Sequence, residues 1–145
     1  MTKALKQPLT GRCLCGGIVY EVDLIQPKMS HCHCQMCRRF HGAAFATYGE
    51  AKPEHFRWVQ GESLLSEYQA ENQTTRRFCK KCGSSMTFQP AHNPKQLIEF
   101  ALATLDGDIP NRPDVHIFTD YKASWFTITD DLPRHSEGRN SPLNN

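Results

Sequence analysis

Short stretches of the chain alternate between apolar and polar residues, which is the pattern of β-strands. The clearest stretch covers residues 18–24, where Ile18, Tyr20 and Val22 occupy every second position. Residues two apart in a strand face the same side of a sheet, so this spacing predicts a strand with one buried face. No segment carries a long apolar stripe at helical spacing, so strands are expected to dominate.

Further stretches have the same strand-like composition and are separated by turn-forming pairs such as Asn93-Pro94 and Asp106-Gly107. One helical turn is predicted over Gln35–His41. Short strands at close spacing favour a mostly β domain of antiparallel strands, of the sandwich or barrel-like kind. The further predicted strands cover residues 44–48, 55–59, 64–69, 74–78, 85–88, 97–104, 115–118 and 125–128.

The chain has 145 residues, which is enough for one compact domain with a buried core. We assign residues 1–132 to this domain. Residues 133–145 are polar apart from one leucine and are expected to form a poorly ordered tail. Trp58 and Trp125 lie in apolar strand-like stretches and are expected in the core.

Composition and charge exclude several classes of partner. The formal net charge is only +2, so nucleic acid and an acidic membrane surface are not expected as partners. No stretch approaches the roughly 20 apolar residues that a membrane-spanning helix needs. The first ten residues contain no apolar run of the secretory type, so a cytoplasmic location is expected.

Cysteine is the residue type that departs from this ordinary composition. Seven cysteines are many for a reducing compartment, where disulfides are rare and clustered cysteines more often hold a metal ion. Their odd number would also leave one thiol over in a full disulfide framework. A disulfide scaffold is therefore the less favoured interpretation.

Two cysteine pairs have the spacing of a closed zinc site. Cys13 and Cys15 are two residues apart, so in an extended segment they project to the same side. Cys79 and Cys82 have the CxxC spacing of a zinc knuckle, and Gly83 allows the chain to turn back around the sulfurs. Together the pairs predict a structural Zn²⁺ site of four thiolates.

The three remaining cysteines lie within one short segment. Three thiolates leave a tetrahedral zinc one ligand short, and an open fourth position is typical of catalytic zinc. Two alternatives stay open: a nearby histidine completes a second structural site, or the thiols are redox-active. The cysteines are Cys32, Cys34 and Cys37, and the nearby histidines are His31, His33 and His41.

Basic residues adjoin the three-cysteine segment. Arg38 and Arg39 follow Cys37 directly. A nearby cation favours thiolate over thiol, and a guanidinium can bind a substrate carboxylate through paired hydrogen bonds. We therefore expect Arg38 and Arg39 to be candidates for substrate binding, beside the open zinc site.

The motifs around the cysteines resemble a known family, that of the glutathione-dependent formaldehyde-activating enzymes, whose domain also occurs in centromere protein V. The resemblance covers about residues 11–133. Later stretches also match, including residues 102–107 and 113–118. The cysteine motifs are Gly11-Arg12-Cys13-x-Cys15-Gly16, His33-Cys34-x-x-Cys37-Arg38 and Phe78-Cys79-x-x-Cys82-Gly83.

The resemblance implies a β-tent fold, stapled by zinc, with two Zn²⁺ ions per chain. By similarity, one zinc is structural and is held by four cysteines, and the other is catalytic and is held by three. The family's named activity joins glutathione to formaldehyde and gives S-hydroxymethylglutathione. The structural set would be Cys13, Cys15, Cys79 and Cys82, and the catalytic set Cys32, Cys34 and Cys37.

The sequence therefore predicts a zinc-dependent carbon–sulfur lyase that acts on adducts of a glutathione-like thiol and a small aldehyde such as formaldehyde. Its partner would be this small molecule, with His33 or His41 as candidate proton shuttles. The alternatives are a zinc-stabilised binding module without catalysis and a thiol redox protein.

Overall fold

The computed structural model describes Leu5 and residues 7–144, and in this part of the chain the protein is mostly β. Among these residues the one α-helix is α1 (Gln35–His41), as predicted from the sequence. The mostly β fold class is confirmed. The strands are β1 (Leu9–Arg12), β2 (Val19–Val22), β3 (Ser30–Cys32), β4 (Ala46–Ala51), β5 (Phe56–Gln60), β6 (Leu65–Gln69), β7 (Thr75–Cys79), β8 (Ser85–Gln89), β9 (Ile98–Ala101) and β10 (Val115–Ile117).

The chain divides into two compact units, each built from two separate segments. The first unit comprises Met1–Pro27 and Gly49–Asn111, and the second comprises Lys28–Tyr48 and Arg112–Asn145. The assignment of residues 1–132 to a single domain stays a prediction. The predicted absence of a secretory segment concerns residues 1–10, of which 1–4 and 6 lie outside the described residues.

The first unit contains two antiparallel groups of strands. One is a three-stranded sheet in the order β1-β2-β5, and the other runs β6-β7-β8-β9. Alternation in β2 has the predicted effect, because Tyr20 and Val22 are fully buried. The Tyr20 ring packs on Phe56 and Phe100, with ring centroids 4.9 and 5.7 Å away. This aromatic cluster forms the centre of the unit.

The second unit is built around β3, which pairs with two neighbours. It is antiparallel to the first half of β4 and parallel to β10, where His116 lies opposite His31. Helix α1 connects β3 to β4. Residues 133–144 are hydrogen-bonded along β10: the His116 N–H donates to the Pro133 carbonyl and the His135 N–H to the His116 carbonyl. The predicted disorder of the tail stays a prediction.

The strands differ from the predicted set in three places. The sequence did not predict β1 or β3, and residues 125–128 form no strand. Strand β3 reads Ser-His-Cys, and only Cys32 is buried, so these three residues carry no alternating apolar pattern. The expected core position of Trp125 is wrong, because its side chain is 71% exposed, whereas Trp58 is half-buried. Along the described residues no helix has the length and apolar character needed to cross a membrane.

Candidate metal centres

The four-cysteine cluster lies in the first unit, where the ends of two strands meet. Cys13 and Cys15 follow β1, Cys79 ends β7, and Cys82 lies in the turn to β8. All four Sγ atoms lie within 4.8 Å of one another. The Sγ of Cys15 is 3.5 Å from that of Cys13 and 3.9 Å from that of Cys79.

These distances match what zinc requires. A zinc–sulfur bond of about 2.3 Å in tetrahedral geometry separates neighbouring sulfurs by about 3.8 Å. Four thiols gain little by packing this closely without a metal ion, whereas four thiolates are each attracted to a cation that they share. The residues therefore fit a tetrahedral Zn²⁺ without rearrangement of the chain.

The loop that carries Cys82 is shaped by backbone and hydroxyl groups. The Gly83 N–H donates to the Cys79 carbonyl at 2.7 Å, with Gly83 at φ +79°, a backbone conformation that favours glycine. The Ser84 hydroxyl lies 3.3 Å from the Cys82 sulfur. This hydroxyl lowers the pKa of Cys82 to about 5, so the thiolate form that binds metal is favoured.

The three-cysteine cluster lies in the second unit, at the junction of β3 and α1. Cys32 ends β3, Cys34 precedes the helix as its N-cap, and Cys37 lies within the helix. The Cys34 sulfur accepts a hydrogen bond from the Cys37 N–H at 3.3 Å, which holds the helix start against the end of the strand. The three Sγ atoms lie within 4.8 Å of one another.

The three thiols affect one another's ionisation. Hydrogen bonding with Cys34 and Cys37, together with burial, raises the pKa of Cys32 far above that of a free thiol. Three thiolates this close repel one another, and a cation between them removes that repulsion. The donor chemistry therefore fits a second Zn²⁺, and its catalytic role stays a prediction.

None of the three candidate histidines places a ring nitrogen within the three-cysteine cluster. Among the described residues, the group of mutually close ligand atoms contains the three cysteines and no histidine or carboxylate. The Nδ1 of His31 is 2.7 Å from the Thr47 hydroxyl, and the Nε2 of His41 is 2.7 Å from the Tyr48 hydroxyl. The alternative in which a histidine completes the site is not formed in this arrangement.

His33 belongs instead to a hydrogen-bonded chain that the sequence did not predict. Its Nε2 lies 2.8 Å from the Nδ1 of His116, and the Nε2 of His116 lies 2.9 Å from the Asp130 carboxylate. The His33 side chain is fully buried, and its ring lies 5.0 Å from that of Phe45. Burial, to which His116 and His31 add, lowers the pKa of His33 to about 4.

A pocket of about 380 Å³ adjoins α1, which carries Cys37. Arg39 is exposed in it, whereas Arg38 donates to the Tyr121 carbonyl at 2.8 Å. Trp125, whose apolar sequence neighbours predict a core position, is part of the lining. The full lining is Gln35, Arg38, Arg39, Gly42, Ala43 and Trp125.

Comparison with known proteins identifies the family of this chain. The sequence profile of the family described as glutathione-dependent formaldehyde-activating enzyme matches residues 8–121. An uncharacterized lyase of Schizosaccharomyces pombe is 29% identical over 128 residues, which cover 81% of this chain and 90% of the yeast protein. A crystal structure of a Rhodobacter sphaeroides protein matches with a TM-score of 0.59 and 31% identity, over 70% of this chain and 91% of that one. The family match takes in most of the chain and every one of its cysteines, and the chain therefore belongs to the glutathione-dependent formaldehyde-activating enzyme family.

Proposed function

We propose that the protein is a cytoplasmic carbon–sulfur lyase acting on adducts of a small thiol and an aldehyde, with glutathione and formaldehyde as the first pair to test. The observation that carries the proposal is the difference between the two cysteine clusters. One has four ligands, and the other has three with no fourth ligand grouped among the described residues. A site short of one ligand has room for a substrate atom.

The family match and the lyase-named relative support this choice of reaction. Cys32, Cys34 and Cys37 would hold the zinc, and zinc with three thiolate ligands would favour the thiolate form of a substrate thiol. In the addition direction the substrate sulfur bonds to the aldehyde carbon, and the proton lost from the thiol ends on the former carbonyl oxygen. The reverse direction breaks the same carbon–sulfur bond.

The chain's own residues supply binding and orientation. Arg38 and Arg39 lie in one pocket beside the helix that carries Cys37, and a guanidinium pairs well with a carboxylate. Glutathione carries two carboxylates, so this pocket suits it better than it suits a neutral thiol. The exposed Trp125 ring provides an apolar wall for the rest of the peptide.

The reaction is tested by exchange at equilibrium, because formaldehyde also adds to glutathione without a catalyst. Carbon-13 formaldehyde is mixed with glutathione, and exchange between free and adduct forms is measured by NMR. We expect the zinc-loaded protein to raise the exchange rate in proportion to its concentration. Cys34→Ser should return the rate to background, whereas Lys28→Ala, a change at an exposed site, should not. Equal rates with and without wild-type protein would exclude this substrate pair.

The pocket is tested through the charge of the substrate. Arg39→Ala should raise KM for glutathione about fivefold with little change in kcat, because an ion pair made by an exposed side chain contributes at most about 1 kcal/mol. Arg39→Lys should retain part of the affinity. An uncharged thiol such as 2-mercaptoethanol serves as the control, since its KM should not respond to Arg39→Ala. Equal increases for both thiols would show that the arginine does not bind the carboxylate.

A further inference from the structure

The hydrogen-bonded chain from Asp130 through His116 ends at a nitrogen atom without a partner. The Nδ1 of His33 is buried and has no hydrogen-bond partner among the described residues. Buried polar atoms in native proteins are nearly always paired, so an exception requires an explanation. His33 lies between Cys32 and Cys34 in sequence, which places this atom in the segment of the three-cysteine cluster.

The positions of the protons in this series of hydrogen bonds follow from Asp130, its exposed end. The Asp130 carboxylate only accepts hydrogen bonds, so the Nε2 of His116 must donate to it. A neutral His116 then accepts at Nδ1, and the donor at 2.8 Å must be the Nε2–H of His33. The Nδ1 of His33 is consequently left with a lone pair and no proton.

The opposite arrangement is less favourable. A charged His116 would donate from Nδ1, and His33 would then carry its proton on Nδ1. In that arrangement Asp130 would pair with the His116 cation, but an N–H donor of His33 would be left buried without an acceptor among the described residues. Orphaned buried N–H groups are rarer than acceptors with a free lone pair.

Strand β10, which carries His116, also holds the backbone of His33. The His33 N–H donates to the Ile117 carbonyl at 3.0 Å, and Ile117 lies opposite Cys32 in the parallel pairing of β3 with β10. Both the main chain and the imidazole of His33 are thus tied to β10. His33 therefore connects His116 to the segment that carries Cys32 and Cys34.

We propose that Asp130 and His116 are positioning residues that hold His33 as its Nε2–H tautomer and thereby fix the segment carrying Cys32 and Cys34. The Nδ1 of His33 is kept as a hydrogen-bond acceptor inside the second unit. The effect on metal binding rests on the proposed zinc site of the three cysteines, whereas the tautomer does not depend on it.

The first test measures the tautomers in the wild-type chain and uses variants only to assign the signals. Long-range proton–nitrogen NMR on the full, zinc-loaded protein with nitrogen-15 histidine distinguishes the two tautomers of each ring. Signals are assigned by their loss in His33→Gln and His116→Gln. We expect both His33 and His116 as Nε2–H tautomers. His33 with its proton on Nδ1 would overturn the proposal.

The second test removes the carboxylate. Asp130→Ala should shift His33 to a mixture of tautomers. It should also weaken zinc binding at the three-cysteine site by about threefold, less than the roughly tenfold or more lost when a group hydrogen-bonded directly to a ligand is removed. Affinity is measured by competition with a chromophoric chelator, and the site is also followed by its Co²⁺ absorption spectrum. Asp130→Glu should restore the wild-type tautomer in part. The neighbouring exposed Asp131 provides the control, because Asp131→Asn should change neither measurement.

The outcomes separate this proposal from the proposed function. An unchanged tautomer and an unchanged zinc affinity in Asp130→Ala would overturn the positioning role, even where Cys34→Ser abolishes thiol exchange. A wild-type protein without exchange activity would instead refute the proposed reaction, and the NMR result would still decide the tautomer.

Discussion

Ser84 contributes to both halves of the four-cysteine cluster. Its hydroxyl accepts a hydrogen bond from the Leu14 N–H at 2.8 Å and lies 3.3 Å from the Cys82 sulfur. The loop between Cys13 and Cys15 is thereby joined to the loop after β7 by a neutral group, in addition to any metal. A single hydroxyl in this place both aligns the backbone and favours the thiolate.

Some residues of the candidate sites were predictable and others were not. The cysteines were grouped correctly because ligand spacing within each pair is short and local, and metal chemistry limits how such pairs combine. His116 and Asp130 were missed because their partners are 83 and 14 residues away, and no spacing rule connects them. Trp125 was expected in the core and instead lines the pocket, because an apolar stretch does not reveal which aromatic ring faces a pocket.

Glu99 provides a prediction about pH at the residue scale. Burial, with Glu50 nearby, raises its pKa from 4.5 to about 8, although Arg76 acts in the opposite direction. The folded protein therefore binds this proton more tightly than the unfolded chain does. The resulting stability is complete below pH 4.5 and is lost as the pH rises through about 8.

Glu99→Gln should remove this dependence. We expect the variant to exceed the wild type by about 1–3 kcal/mol in free energy of unfolding at pH 8.5, and by much less at pH 5.5. Urea unfolding at the two pH values measures the difference, with the exposed Glu54→Gln as the control. Parallel stability curves for wild type and Glu99→Gln would show that the carboxyl is not protonated in the fold.

At the scale of elements, helix α1 was the most predictable and β3 the least. The helix has its predicted bounds because Cys34 supplies an N-cap and Gly42 ends it in a left-handed conformation. Strand β3 has no apolar alternation, and it is a strand only because β4 and β10 pair with it on both sides. Such pairing is a tertiary effect that local sequence does not encode.

Two turn glycines of the first unit provide a prediction at this scale. Gly61 and Gly83 both have positive φ, at +74° and +79°. A Cβ on Gly61 would lie 2.0 Å from the Gly17 carbonyl oxygen, whereas one on Gly83 would meet no atom within 4 Å. Gly83→Ala should therefore cost only about 1 kcal/mol for the left-handed backbone.

Gly61→Ala should be clearly worse. It adds a backbone clash to the same conformational cost, and we expect a further loss of about 1–3 kcal/mol. Chemical unfolding of the two zinc-loaded variants measures the difference, and each variant serves as the other's control. Equal losses would mean that the chain around Gly17 moves away at no cost.

At the scale of the whole molecule, the mostly β class could be predicted from alternation and turn spacing, but the division into two units could not. Each unit combines two segments that are remote in sequence, and the first unit resumes at Gly49 in the middle of β4. The amino-acid composition does not change in an obvious way at the boundaries between the two units. Contacts formed only in the folded chain decide where one unit ends.

The two cysteine clusters should differ in what their metal does for the molecule. Elemental analysis should find about two zinc ions per wild-type chain and about one in Cys34→Ser. Serine keeps the N-cap of α1, so this variant should remain folded. Cys79→Ser should instead unfold at a much lower temperature than the wild type. It removes a ligand from the site that joins the segment after β1 to the end of β7. Two zinc ions in Cys34→Ser would refute the assignment of the second site.

The order of the cysteines along the chain has a consequence for how the protein acquires metal during synthesis. All three sulfurs of the second-unit cluster have left the ribosome soon after Cys37, whereas the four-sulfur cluster waits for Cys82. At about 5–20 residues per second, translation of the residues between them takes a few seconds. The newborn chain therefore contains every sulfur of the second-unit cluster before the last sulfur of the first-unit cluster has been added.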